Sequence, residues 1–477
     1  MFSKNRVPGD SHDAPNPRRW RVPMFHIPLW AYIPWLAVKG LWWLILGLGA
    51  ALYYLAKFYW LSAPLGLLAY LTVAYGWYWA TAAAVFATGM LGVWWWRRRD
   101  TFQRWLGWFY IAKWRHYLRY RPLWQPTIAN IGLATSFGGE RFYPSLLNVR
   151  HDGRCDVVTA RMLPGQHPHD WAEAAPRFAH TFKALSCTAI ESPKADRVAL
   201  RFRLVDTLAA TIPPFPVPAT VDTRRLPVAV DEDGMLFTVS LVGHVLIAGR
   251  TGSGKGSAVW SIVSAIANGI TSGLLHVHAF DPKGGMEFAY GQELFRAFHY
   301  DGPHEMAGAL EDLAKVVIQR ANRYRGMARD HTATTDEPTI VILIDEFASL
   351  TAYVPDKKLK ERLNHAMAEI LTKGRAVGVH VIAALQDPRK EILSYRNLFA
   401  TRIALALNEE SEVDMVLGEN AVRNGAASHL ISEHQPGVGY VMLDGRNRPG
   451  RVRFPYHDDN DIRAMAATYG TTLGVAQ

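Results

Sequence analysis

Apolar residues along this chain fall into two regimes, long uncharged blocks near the start and short strand-length runs later. Residues 41–54 read Leu-Trp-Trp-Leu-Ile-Leu-Gly-Leu-Gly-Ala-Ala-Leu-Tyr-Tyr between Lys39 and Lys57, and a second uncharged block covers residues 58–96. A helix crosses a bilayer with about 20 apolar residues. The pattern therefore predicts a two-helix transmembrane anchor within residues 27–96, with spans near 35–56 and 65–95. A hairpin within the second block is the alternative. Trp42, Trp60, Trp94, Trp95 and Trp96 suit the membrane interface, and 15 of the 17 tryptophans lie at or before Trp124. Arg18, Arg19 and Arg21 precede the first block and Arg97, Arg98 and Arg99 follow the second. Cytoplasmic flanks collect such charge, which puts residues 1–26 in the cytoplasm as a basic tail.

Residues 97–126 interleave Lys113, Arg115, Arg119 and Arg121 with Trp108, Phe109, Tyr110, Trp114, Tyr117 and Tyr120. That mixture predicts an interfacial helix on an anionic membrane surface, with nucleic-acid binding as the alternative. Residues 127–206 place strand-like runs at 156–160 and 198–202 around a helical stretch at 169–185, the pattern of a small α+β module. The Pro-rich run 212–218 makes residues 207–221 a semi-rigid linker. From residue 222 to 477, strand runs at 245–248, 276–280, 340–344, 379–385, 402–407 and 438–443 alternate with helical periodicity. Such alternation predicts an α/β domain with a mostly parallel sheet covered by helices on both faces.

Charge changes the picture only by its distribution. The net charge is +10, yet residues 1–126 hold 15 basic side chains against three acidic ones, and the remainder holds 37 against 39. The excess belongs to the membrane flanks, so global basicity is no argument for nucleic acid. The two cysteines, Cys155 and Cys187, lack metal-ligand spacing and suit reduced thiols in a cytosolic environment.

The candidate chemistry begins at Gly249-Arg250-Thr251-Gly252-Ser253-Gly254-Lys255-Gly256, which follows an apolar strand and opens a helix. This is the context of a phosphate-binding loop: glycines free consecutive amides to face phosphate, and Lys255 brings a cation to the β and γ oxygens. ATP with Mg2+ is the expected ligand. Gly256 stands where a Ser or Thr hydroxyl ordinarily meets the metal, and Ser257, one residue later, is the expected substitute. The run 340–344 delivers Asp345 and Glu346 to a strand end, 90 residues after Lys255. Asp345 is expected to hold Mg2+ and Glu346 to polarise the attacking water. Gln386, after the run 379–385, is the candidate γ-phosphate sensor. Arg375 is the candidate for reaching a neighbouring subunit's phosphate, with Arg402 as runner-up.

Ala248 to Ser257, Phe280-Asp281-Pro282-Lys283-Gly284-Gly285, Ile344-Asp345-Glu346-Phe347, Lys373-Gly374-Arg375-Ala376-Val377-Gly378-Val379-His380 and Thr401-Arg402-Ile403-Ala404 together resemble the FtsK/SpoIIIE family of membrane-anchored DNA translocases. The resemblance covers about residues 140–460, and Gly254-Lys255-Gly256-Ser257 is most similar to its actinobacterial conjugative-transfer branch. It implies a RecA-like motor at residues 222–477, an adapter domain at 127–206 and a homo-hexameric ring around double-stranded DNA at the inner membrane. The implied function is ATP-driven DNA translocation in conjugative transfer. Chromosome segregation at division and protein export of the type VII kind are the alternatives, as is a non-hydrolysing scaffold. Arg389, Lys390 and Arg396 are candidate phosphate-backbone contacts. The chain stops short of the winged helix that reads DNA sequence in many relatives, which implies that a separate DNA-binding or element-encoded partner directs the motor.

Overall fold

A computed structural model describes residues 29–137, 139–388 and 393–471 of the chain. It divides into two units, one up to Gly107 and one from Trp108 onward. In the first, helices span Leu29–Lys57, Tyr59–Tyr75 and Trp77–Arg97. Among the described residues, one segment, Val38–Lys57, is long and apolar enough to cross a membrane. The second expected span, 65–95, is not one helix. Gly76 breaks it with φ +87°, a backbone conformation that glycine adopts without strain, leaving helices of 17 and 21 residues. The expected membrane-flanking Arg18, Arg19 and Arg21 lie outside the described residues.

The second unit opens with helical turns that lead into the small α+β module. The hairpin β1 (Thr135–Phe137) and β2 (Glu140–Phe142) precedes a four-stranded antiparallel sheet. That sheet is built from β3 (Ser145–His151), β4 (Cys155–Arg161), β5 (Ser186–Glu191) and β6 (Arg197–Arg203), in the order β3-β4-β6-β5. The helix Pro168–Thr181 contributes Trp171 and Phe178, which stack on Trp124. Trp124 and Tyr120 are buried in this core, so the second half of the aromatic stretch 105–124 folds with the module. Tyr120 sits in a π-helical turn, His116–Tyr120, and its hydroxyl donates to the fully buried Asp156 at 2.8 Å.

The ten-stranded sheet of the second unit is mixed. Its strands are β7 (Leu226–Asp231), β8 (Leu236–Val239), β9 (Val245–Ala248), β10 (Leu275–Phe280), β11 (Ala297–His299), β12 (Thr339–Ile344), β13 (Val379–Leu385), β14 (Thr401–Ala404), β15 (Val438–Leu443) and β16 (Gly450–Arg453). Their order is β11-β10-β12-β13-β9-β14-β15-β16-β7-β8. The six strands from β11 to β14 run parallel, and the rest are antiparallel. β14 is shorter than the run 402–407 suggests. The Leu405 amide still bonds to Ala248 of β9, but the Leu407 amide turns away to the Ser428 carbonyl.

The central strands read as continuous apolar runs because both faces are covered. Leu246, Ile342, Val381 and Ala383 pack toward the helices Pro303–Tyr324 and Lys357–Lys373, while Val245, Ile247, Leu343 and Ile382 pack toward Lys255–Thr271 and Asp459–Tyr469. This sandwich aligns the carboxyl ends of β9, β13, β12 and β10 along one edge, where open α/β sheets hold their ligands.

The Pro-rich linker is tied down along its length. Arg453, on β16 and 2% exposed, donates to the carbonyls of Leu208 (2.6 Å), Ala209 (2.8 Å) and Pro436 (3.2 Å) and to the Thr211 hydroxyl (3.4 Å). Further along, the Tyr456 amide bonds to Ile212, and Asn268 donates to the Pro218 and Ala219 carbonyls. A buried guanidinium needs several acceptors at once, and these carbonyls supply them.

Candidate functional site

The glycine loop leaves β9 suspended between its two neighbours. The Gly249 amide donates to Leu385 at the end of β13, and the Arg250 amide donates to Ala406 beyond β14. Gly252 and Gly254 take φ of +77° and +92°, and a Cβ on Gly254 would fall 2.4 Å from the Gly437 nitrogen. Gly249 is closed in as well, since its Cβ would meet the Ser253 Oγ at 2.5 Å. Ser253 is buried and its hydroxyl has no partner among the described residues. The helix Lys255–Thr271 starts immediately after Gly254, so its free amides and positive dipole face the same space.

Lys255 is folded back into its own loop, donating to the Gly249 carbonyl at 2.7 Å and the Arg250 carbonyl at 3.1 Å. A Cβ at Gly256 would meet nothing within 4 Å, so the position lacks a hydroxyl although it has room for one. Ser257 lines the cleft beside the loop, which encloses about 560 Å3 together with Lys283, Glu287, Asp345 and Gln386.

The carboxylates arrive on β12, which is separated from β9 by β13. The Asp345 amide bonds to Phe280 at the end of β10, and its carboxylate accepts from Lys283 Nζ at 2.5 Å. Glu346, 6% exposed, caps the short helix Phe347–Thr351 through the Ala348 amide. Burial raises the Asp345 carboxyl above its ordinary range, against the opposing pull of Lys283. It raises Glu346 too, opposed by the Ala348 hydrogen bond. Burial also lowers the Lys255 ammonium, with Glu346 pulling the other way. A buried, strand-held carboxylate pair beside a lysine-bearing loop can bind a cation and activate water. The Asp345 carboxylate and the Ser257 hydroxyl are hard oxygen donors of the type Mg2+ takes, and both line the cleft.

Gln386 reaches the loop directly, since the Thr251 hydroxyl donates to its Oε1 at 3.4 Å. Lys255, Ser257, Asp345, Glu346 and Gln386 thus meet at one sheet edge, as the sequence suggests. Arg375 does not join them within the chain. It is exposed in the turn Gly374–Val377, before β13 begins, and so lies at the opposite end of that seven-residue strand, roughly 23 Å from Gln386 at ~3.3 Å per residue. Arg402 is half-buried within β14, away from the cleft lining. Arg396 donates to the Asp414 and Met415 carbonyls at the end of the helix Glu410–Leu417 and so has a structural task. Arg389 and Lys390 lie outside the described residues.

Polar contributors to this cleft that the sequence does not single out include Lys283, Glu287, Thr211 and Arg453. Lys283 carried a usable signal, because Asp281-Pro282-Lys283 closes an apolar strand as Asp345 does. Arg453 carried none, being an arginine in a short strand.

Residues 208–337 match the profile of the FtsK/SpoIIIE family. A DNA translocase FtsK from Corynebacterium efficiens is 26% identical over 323 residues, covering 59% of this chain and 30% of that protein. Its namesake in Mycobacterium tuberculosis is 24% identical over 321 residues, covering 59% and 34%. The chain thus spans about a third of the length of the curated relatives it matches. Among solved structures, the pCW3 conjugation coupling protein TcpA in its ATPγS form is similar with a TM-score of 0.47 and 17% identity, over 73% of this chain and 98% of that one.

Proposed function

With residues 208–337 an FtsK/SpoIIIE-family P-loop ATPase segment, we propose that the chain is a membrane-anchored motor that hydrolyses ATP to drive double-stranded DNA through a homo-hexameric ring, in conjugative transfer of a mobile element. The observation that carries this reading is the convergence of Lys255, Asp345 and Gln386 on one cleft, with the buried Glu346 next to Asp345 at the same strand end. Val38–Lys57 is the segment suited to anchor it at the inner membrane. Relatives named as DNA translocases support the choice of DNA as substrate.

In this reading Lys255 exchanges its two loop carbonyls for phosphate oxygens, which neutralise its charge better than carbonyl dipoles do. Amides of the loop and of the following helix start orient the triphosphate. Glu346, its carboxyl raised by burial, is a stronger base toward water than an exposed carboxylate and is the group proposed to abstract its proton. Gln386, bonded to Thr251, links the loop to the strand between loop and carboxylates and acts as the sensor. Asp345 and the Ser257 hydroxyl would hold Mg2+, which when bound would supply charge neutralisation of the phosphate oxygens. Arg375 is proposed to complete a neighbouring copy's site, consistent with its exposure.

The test is steady-state ATP turnover of the full chain in detergent, with and without long linear duplex. Duplex should raise the rate several-fold, and Lys255→Ala should remove turnover. A rate indifferent to duplex would sink the DNA-motor reading.

A further inference from the structure

Lys283 is a second lysine in the cleft, and its place is constructed rather than incidental. It follows β10 in a turn organised by Asp281, which is fully buried and accepts the amides of Lys283 (3.1 Å), Glu287 (2.9 Å) and Phe288 (3.3 Å). Parallel pairing of β10 with β12 sets Phe280 opposite Ile344 and brings the two strand ends together. The outcome is the 2.5 Å contact between Lys283 Nζ and Asp345 Oδ2. Lys255 donates instead to the carbonyls of Gly249 and Arg250.

We infer that Lys283 is a placeholder cation: without nucleotide its ammonium occupies the cation side of Asp345, and it yields that place when a divalent metal binds. This rests on the ATPase reading of the site. An ammonium on Asp345 Oδ2 competes with a divalent metal for the same carboxylate, because two adjacent cations repel and the ammonium already neutralises the charge that would draw Mg2+ in. The mobile partner is the lysine. Its side chain is 33% exposed against 11% for Asp345, and Glu287 in the same cleft offers it another carboxylate. The exchange gives a reason for a second lysine here. Asp345, Glu346 and Glu287 would otherwise crowd negative charge around an empty cleft and draw in metal with no nucleotide present.

Mn2+ titration of the nucleotide-free full chain, read by electron paramagnetic resonance of the free ion, tests the exchange. Lys283→Met should bind Mn2+ about tenfold more tightly than the unchanged protein, whereas Lys283→Arg, which keeps the ion pair, should bind as weakly. Equal affinity for the unchanged and Met forms overturns the inference. A measurement without substitution guards against misfolding: saturating Mn2+ alone should speed acetylation of Lys283, followed by mass spectrometry, several-fold. Unchanged acetylation also overturns it. ATP affinity measured in parallel separates the two readings. Equal Mn2+ affinity with ATP binding intact removes the placeholder alone, and equal Mn2+ affinity with no ATP binding removes both.

Discussion

The amide of Gly437 donates to the carbonyl of Ser253 at 2.9 Å, so the turn that leads into β15 is stitched to the crown of the glycine loop. Gly254 lies under that stitch with φ +92° and no space for a side chain. Gly254→Ala therefore combines left-handed backbone strain of about 1–2 kcal/mol with a collision against backbone. Nucleotide binding, read by fluorescence of an N-methylanthraniloyl ATP analogue, should fall at least tenfold.

Gly256 is the opposite case. The space around it is open and the residue is helical, so Gly256→Ser should keep or slightly raise the melting temperature, by a few tenths of a kcal/mol of helix propensity. If Ser257 supplies the metal-directed hydroxyl, Ser257→Ala should weaken Mg2+-dependent turnover and Gly256→Ser should restore it in the double variant. Full turnover in Ser257→Ala alone would remove Ser257 from the metal site.

Arg453 binds four acceptors from a buried position, three of them on the linker side, at Leu208, Ala209 and Thr211. Arg453→Met should cost about 2–4 kcal/mol, because buried carbonyls lose their donor. Urea denaturation of the full chain should show a lower midpoint. Limited proteolysis should cut first within residues 207–221.

His244 fixes the far edge of the sheet. The Val381 amide can only donate, so Nδ1 accepts it at 3.0 Å and the ring is neutral, with Nε2 donating to Leu371 at 3.0 Å. Burial lowers His244 and His278 from 6.5 to about 4 each. In the unfolded chain these rings take up protons near pH 6.5, whereas the folded chain resists until about pH 4. Stability is thus whole above pH 6.5 and declines as pH falls toward 4, by about 1.4 kcal/mol per pH unit per histidine at most. Melting temperature followed from pH 7 to pH 4.5 should show this fall, and His244→Gln should make it shallower.

Much of the site was legible because its signals are local. β9, β12 and β13 are largely apolar runs, Asp345, Glu346 and Gln386 follow the last two directly, and Lys255 closes the glycine loop after the first. What stayed hidden depends on long-range partners. The Lys283 to Asp345 bond joins residues 62 apart, and the Arg453 clasp reaches back 245 residues to Leu208. β7 and β8 escaped notice because an antiparallel edge, half-covered, lacks the apolar continuity of the central strands. β11 has only three residues, below the length at which periodicity speaks. Composition favoured a single second span, but one glycine, Gly76, outweighs the surrounding apolarity by ending a helix.

The insertion of β13 between β9 and β12 makes that strand a ruler for the gap between glycine loop and carboxylates. Two strand spacings of ~4.8 Å separate the loop from the carboxylates, so the width of the gap belongs to backbone pairing and survives changes in side chain. Register is the vulnerable quantity. One residue inserted into β13 would displace Gln386 by about 3.3 Å and turn it to the other face of the sheet, leaving every candidate side chain present and the gap misread.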